Sequence, residues 1–222
     1  MRVLAIETAT TACAIGLGDG ERRVVQLLAS DRRHVEVLAP GIVAALGELD
    51  LRARDLERIV VDRGPGLFTG LRVGLATAVA LADASGALLV GVTSLELLAH
   101  GAHAVGVRGS LVAVVDGRRG EVFTQRFELG DEVLARGEPA VERPRDLVIA
   151  WATNGAAVTF VGDGVARYRA DFAAVPNGAV YDLGVPPVEA ALALAAREGG
   201  AVTPLYLREA DAVANFSTRD RP

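Results

Sequence analysis

Residues 2–7, RVLAIE, form an apolar run closed by a carboxylate, and a second apolar stretch, ACAIGL, follows the small turn TATT. Short apolar runs bounded by turn residues have the pattern of buried strands. RRVVQLLAS supplies a third, so the chain is expected to open on a β-meander. The period then changes. In RRHVEVLAPGIVAALGELD, Leu38, Ile42, Leu46 and Leu49 recur at spacings of four and three, the stripe of an amphipathic helix. Pro40 is expected in its first turn or at a kink, because proline lacks the N–H and clashes with the preceding turn. LERIVVD reads as a strand. DRGPGLFTGLRVGLATA reads as a glycine-rich loop leading into a helix from about Thr69 to Ala84. ALLVGVT is a further strand, and SLELLAHGA a short helix that Ser94 is placed to cap.

From about Ser110 the pattern restarts. VAVVDGRRGEVFTQRF repeats the plan of VLAIETATTACAIGL: a buried strand ending in a carboxylate, a tight polar turn, a second strand. This predicts a duplicated α/β unit, residues 1–105 and 106–222, with a boundary in the glycine-rich stretch GAHAVGVRG at 101–109. The second half is less regular. VTFVGDGVARY reads as a strand ending in a Gly-Asp-Gly turn. PPVEAALALAAREGG is a helix started by proline and stopped by glycine, free to pack back on the first lobe.

Composition narrows what such a chain can do. Half of its 222 residues are apolar and 5% aromatic, so Ala, Val and Leu must build the core. The net charge of -5 argues against autonomous nucleic-acid binding; the Arg22-Arg23, Arg32-Arg33 and Arg118-Arg119 pairs read as solvated surface. All 23 basic residues are arginine. A P-loop, a protein kinase and a Schiff-base enzyme each need a lysine and are excluded. Cys13 is the only cysteine, which rules out an intrachain disulfide and suits a cytoplasmic location. It reads as an inert core thiol. The apolar run before Glu7 is too short for a signal-peptide core, and no stretch reads as a membrane span.

The glycine loop admits two readings. Gly64, Gly66 and the N-terminus of the following helix could cradle a phosphate. Yet the spacing is G-x-G-x-x-x-G, which fits neither a P-loop nor a dinucleotide fingerprint. Gly70, Gly74, Ala78 and Ala82 recur every four residues, a strip almost without side chains along which another helix can approach closely. Two helical glycines cost about 2 kcal/mol together relative to alanine, and close packing is the simplest compensation.

GPGLFTGLRVGLATA resembles the GPGSFTGLRIG signature of the bacterial TsaB (YeaZ) family. LAIETATTACAIGL, RHVEVLAPGI, TSLELLA, VVDGRRGEVF and PLYLREADA are similar to further segments of that family, so the resemblance covers most of the chain. It implies two lobes of actin-like fold, with mixed sheets flanked by helices. It also implies a non-catalytic subunit that dimerises with the catalytic TsaD-like subunit in the complex making threonylcarbamoyladenosine in tRNA. A TsaE-like ATPase and tRNA would be met through that complex, and the chain alone would form a homodimer, with no cofactor and no membrane. Leu67 stands where the family usually has Ser, and Glu7 where it has Asp. Both changes weaken a phosphate-contacting role.

The expected interface is the strip Gly70, Gly74 and Ala78 with Leu71 and Leu75, together with His34, Leu38 and Ile42 of the first long helix. On this reading Gly74→Leu breaks association and leaves the monomer folded. The catalytic relatives carry a metal-binding His-x-x-x-His pair on the corresponding helix. Here Leu38 takes the second position, so His34 reads as a capping or interface residue and no metal is expected. His100 and His103 read as surface residues. Glu7, Thr8, Gly64, Gly66 and Asp116 remain as a cleft or phosphate loop. The two carboxylates either face an interlobe cleft or cap their hairpin turns. A second reading is an ATPase or phosphotransferase acting through that cleft; a metalloprotease is disfavoured by the missing His pair and the absence of HExxH.

Overall fold

The computed structural model describes residues 1–29, 33–200 and 202–208. Ser30, Arg32 and the end of PLYLREADA lie outside the described residues. Two five-stranded sheets carry the fold. The first is built from β1 (Arg2–Glu7), β2 (Cys13–Asp19), β3 (Arg22–Ala29), β4 (Arg58–Asp62) and β5 (Leu88–Val92), in the order β3-β2-β1-β4-β5. The second is built from β6 (Gly109–Arg118), β7 (Glu121–Leu129), β8 (Val133–Glu142), β9 (Val158–Val161) and β10 (Gly178–Tyr181), and its order β8-β7-β6-β9-β10 is the same plan. In both, the first three strands form an antiparallel meander and the last two join in parallel.

The helices repeat as well. α1 (His34–Glu48) and α2 (Phe68–Ser85) correspond in chain order to α4 (Pro144–Asn154) and the short pair α5 (Asp163–Arg167) and α6 (Arg169–Ala173); α3 (Ser94–Ala104) corresponds to α7 (Val188–Ala193). α1 and α2 cover one face of the first sheet, where Leu4, Ile6, Ile15, Ile59 and Val61 point. α4, α5 and α6 cover the matching face of the second, on Val112, Val114 and Phe160. The remaining faces are closed by exchange. α3, from the first half, packs Leu95, Leu98 and Ala102 on the second sheet, whereas α7, from the second half, packs on Val3, Ala5 and Val60 of the first. The two exchanged helices also touch each other.

Two local expectations are corrected, and of the two places expected for Pro40 the first turn is excluded. Pro40 sits inside α1, beyond its first turn, on the exposed side. Thr93 caps α3, not Ser94: its hydroxyl accepts from the Glu96 N–H, and the Glu96 carboxylate accepts from the Thr93 N–H. The stretch 101–109 is not all loop, because α3 runs to Ala104; Gly101 is needed there against Pro187, where a Cβ would collide.

Candidate functional site

The glycine loop is shaped by the hairpin turn it lies on. Glu7 ends β1 fully buried, and its Oε1 accepts from the N–H groups of Ala9 (2.9 Å) and Thr10 (3.2 Å), which fixes the β1–β2 turn. The Ala9 carbonyl in turn accepts from the Leu67 N–H at 2.6 Å. A Cβ on Gly66 would collide with the Ala9 carbonyl, one on Gly70 with the Thr8 carbonyl, and one on Gly74 with the Thr8 hydroxyl. The glycines therefore let the loop and α2 sit directly on the turn. The Ala9 carbonyl is thereby held against Leu67, just before the start of α2.

Asp62, at the end of β4 beside Glu7, holds the other side of the loop. Its Oδ1 accepts from the Gly64 N–H at 2.8 Å and lies 2.9 Å from the Ser94 hydroxyl. Burial pushes its carboxyl up to about 7. Burial first, and the neighbouring Asp62 charge second, raise Glu7 well above the usual carboxylate range. Glu7 Oε2, Asp62 Oδ2 and the Thr8 hydroxyl are buried with no partner among the described residues. Asp62 was not singled out from sequence, because a carboxylate after an apolar strand is ordinary; only its placement next to Glu7 distinguishes it.

His34 is buried at the start of α1, its Nε2 2.7 Å from the Ala12 carbonyl, so it ties the helix to the same hairpin. Leu38, Ile42, Leu71, Leu75 and Ala78 are likewise buried, and Gly70 and Gly74 with them. The expectation of a free small-residue strip is thus corrected: within this chain the strip faces inward, against Thr8 and Ile6. What α1 and α2 present to solvent is their opposite side. Val35 and Val43 are each 70% exposed and Val79 40%, flanked by Ala39, Pro40, Ala44, Ala76 and Ala80. Glu36, Glu48, Arg72 and Asp83 are the charges on these exposed sides. Both helices lie on one face of one sheet, so these outer sides point away from it.

Between the lobes lies a cleft of about 570 Å³. Pro65–Phe68 and Arg72 form one wall, Asp116–Arg118 and Phe123 the other, and Leu205–Arg208 run along it. Asp116 Oδ1 accepts from the Arg118 N–H, and Oδ2 pairs with Arg118 at 3.0 Å and Arg167 at 3.3 Å. Of the two strand-ending carboxylates, both brace their turns, but only Asp116 lines the cleft. The segment 205–208 straps the lobes together: Leu205 N–H donates to the Arg63 carbonyl, and Arg208 donates to Glu121 and to the Gly117 carbonyl. Cys13 is buried in β2, its thiol pushed up to about 12 by burial and by Glu7. His100 is half-buried beside Arg197, more enclosed than a surface residue, and burial lowers its pKa. His103 Nε2 lies 2.9 Å from the Gly130 carbonyl. Among the described residues no helix is long and apolar enough to cross a membrane.

The family described as tRNA N6-adenosine threonylcarbamoyltransferase, TsaD, matches residues 28–198. An uncharacterized protein of Mycobacterium leprae is 38% identical over 72% of the chain, a stretch that makes up only 42% of that protein's own length. The tRNA threonylcarbamoyladenosine biosynthesis protein TsaB of Escherichia coli is 30% identical over 70% of this chain and 71% of its own. Among solved structures, an uncharacterized Pseudomonas aeruginosa protein with similarity to peptidase YeaZ superposes with a TM-score of 0.82 at 27% identity, covering 93% of this chain and 99% of that one. The fold is accordingly the two-lobed actin-like one that the sequence resemblance implied.

Proposed function

Since the chain belongs to the TsaB (YeaZ) branch of the TsaD family, we propose that it is the non-catalytic subunit that docks a TsaD-like catalytic subunit for synthesis of threonylcarbamoyladenosine in tRNA. The observation that carries this reading is the solvent side of α1 and α2. Val35, Val43 and Val79 are exposed on the outer sides of these two helices, and exposed apolar surface is what protein association buries. The docking residues are thus moved from the buried strip to the opposite side of the same helices. The strip residues, His34 and Leu38 included, act beneath the surface by fixing how the two helices lie.

The non-catalytic role is supported by the use the chain makes of its polar groups. His34 is engaged with the Ala12 carbonyl, Leu38 stands one turn later in the core, and the glycine loop is tied to the Ala9 carbonyl. A TsaE-like ATPase and tRNA would be reached through the complex, in the cytoplasm, and the same apolar face would pair two copies when the partner is absent. The test is co-purification of the tagged chain with the TsaD-like subunit of its host. Val43→Arg combined with Val79→Arg is expected to abolish it while leaving the melting temperature unchanged. Undiminished capture by that folded double variant would remove the helical face from the reading.

A further inference from the structure

Glu7 and Asp62 end adjacent parallel strands at the same level. Ile6 pairs with Val61 in the register of β1 and β4, so the next residue on each strand stands beside its counterpart, about 4.8 Å apart between Cα atoms. Paired positions on neighbouring strands share a face of the sheet, and both side chains are fully buried there. Each carboxyl has given one oxygen to a loop. Glu7 Oε1 accepts from the Ala9 and Thr10 N–H groups, and Asp62 Oδ1 from the Gly64 N–H and the Ser94 hydroxyl. The other oxygen of each, Glu7 Oε2 and Asp62 Oδ2, has no partner among the described residues. Buried acceptors left unpaired are costly, and two carboxylates cannot satisfy each other, because neither has a donor. One proton changes that. A protonated carboxyl donates its O–H to the neighbouring carboxylate, and acids crowded into one site titrate as a pair.

The second lobe supplies the comparison. Its counterparts in chain order are Asp116, in β6, and Asp163, just after β9. Asp163 Oδ1 accepts from the Asp116 N–H, and Asp116 Oδ2 pairs with both Arg118 and Arg167. Arginine balances the charge in that lobe. The groups around Glu7 and Asp62 do not. After burial itself, the charges of Asp62 and then Asp163 of α5 raise the Glu7 carboxyl. Glu96 of α3 raises Asp62, and Arg63 opposes it less strongly. The Cys13 thiol of β2 is itself pushed up beside Glu7. His34 of α1 is turned to the Ala12 carbonyl, and α2 meets the turn with Gly70 and Gly74.

We propose that Glu7 and Asp62 share one proton, the carboxyl of one donating to the carboxylate of the other, and that this proton is a latch seating the β1–β2 turn and the glycine loop on the end of the sheet. Release is a simple ionisation. The O–H bond breaks, its electron pair stays on the carboxylate, and the proton passes to solvent. Two anions are then left side by side, and they separate by admitting water. The loops move with them, because the same carboxyls hold Ala9, Thr10 and Gly64. Leu67, at the start of α2, follows through its bond to the Ala9 carbonyl. The latch is closed in acid and loosens as pH rises toward and past neutrality.

The test uses the isolated protein, so it stands apart from the docking reading. Infrared spectra at pH 6 should show a protonated-carboxyl band that both Glu7→Gln and Asp62→Asn remove, since in each variant a carboxamide N–H donates where the proton did. Amide hydrogen exchange, corrected for its intrinsic pH dependence, reads the loops. The N–H groups of Ala9, Thr10, Gly64 and Leu67 should open up to about tenfold more often per pH unit between about pH 5 and 7, because each opening releases one proton. They should exchange well ahead of Val112 and Val114 in β6, and in both variants the pH dependence should vanish. The proposal is overturned if no such band exists, if the band survives in either variant, if the loop amides are as protected at pH 7 as at pH 5, or if they exchange only together with β6. Should Glu7→Gln not fold, Asp62→Asn decides, with the Glu7 carboxyl carbon shift expected in the ionised range at pH 6; a protonated Glu7 there would mean an isolated buried acid and no shared proton.

Discussion

The two halves of this molecule use one plan and end their first hairpins differently. In the first half, the β4–α2 loop lies on the β1–β2 turn and seals it: Gly66, Gly70 and Gly74 touch Thr8 and Ala9, and Leu67 bonds Ala9. In the second half, the β9–α5 turn does the same work further back along the strand. Gly162 and Gly164 pack on Val114, and Asp163 Oδ1 accepts from the Asp116 N–H at 2.9 Å. The tip beyond, Arg118–Gly120, is left to reach the cleft. The helices follow suit. α2 is 18 residues long with an apolar outer side, whereas α5 and α6 are five residues each. α4, the counterpart of α1, exposes Arg145 and Asp146. Duplication has left one lobe with two long helices on its outer face and the other with shorter ones and a hairpin tip at the cleft.

The sharpest way to break this contrast is Gly74→Leu. With Thr8 in direct contact, the side chain has nowhere to go, and the first lobe should lose about 3 kcal/mol, read as a large fall in melting temperature or loss of soluble protein. This reverses what the sequence alone suggested for that variant. Gly162→Ala probes the corresponding device in the second lobe. Its φ of 116° and the Val114 carbonyl both oppose a Cβ, and a cost of about 2 kcal/mol is expected, measured by denaturant unfolding.

The buried carboxylates of the first half add a dependence on pH. Asp62 and Glu7 have carboxyls raised by burial, so the folded state holds protons that the unfolded chain releases. Stability is then fully present below the ordinary carboxylate range and declines as pH rises from about 4 toward the folded value near 7, by up to ~1.4 kcal/mol per pH unit for each proton so held. Unfolding free energies at pH 5 and pH 8 should differ in that sense, and Asp62→Asn should flatten the slope. An equally steep slope in that variant would mean that the protons sit elsewhere. Smallest of all, Val43→Arg on the outer side of α1 should change stability by no more than about 0.5 kcal/mol, the opposite outcome to Gly74→Leu in the helix beside it.

Much of this was legible in the sequence where a period recurs. β1, β2, α1 and α2 follow from apolar runs and stripes, and the repeat of VLAIETATTACAIGL by VAVVDGRRGEVFTQRF matches two sheets of identical order. β8 was not legible. VLARGEPAVE is an edge strand with most of its positions exposed, so it has no alternation to read, and Pro139 is tolerated because an edge has a free side. The small-residue strip was visible, but not its neighbour. A row of glycines says that something comes close, and only the fold shows that it is the Thr8–Ala9 turn instead of a second helix. The Phe68–Tyr206 contact joins residues far apart in the chain, and no local pattern announces such a pair.

The exchange of α3 and α7 bears on how the chain is made. The first sheet is complete in sequence at Val92, yet the face carrying Val3, Ala5 and Val60 has only Leu97 of α3 on it until residues 188–195 have been synthesised. At roughly 5–20 residues per second, the first half waits on the order of ten seconds as a half-covered sheet on the ribosome. Neither half can mature ahead of the other. A chain halted near residue 105 would display that apolar face to chaperones or to its own copies, and a separately expressed first half would need residues 186–197 supplied as a peptide to become soluble.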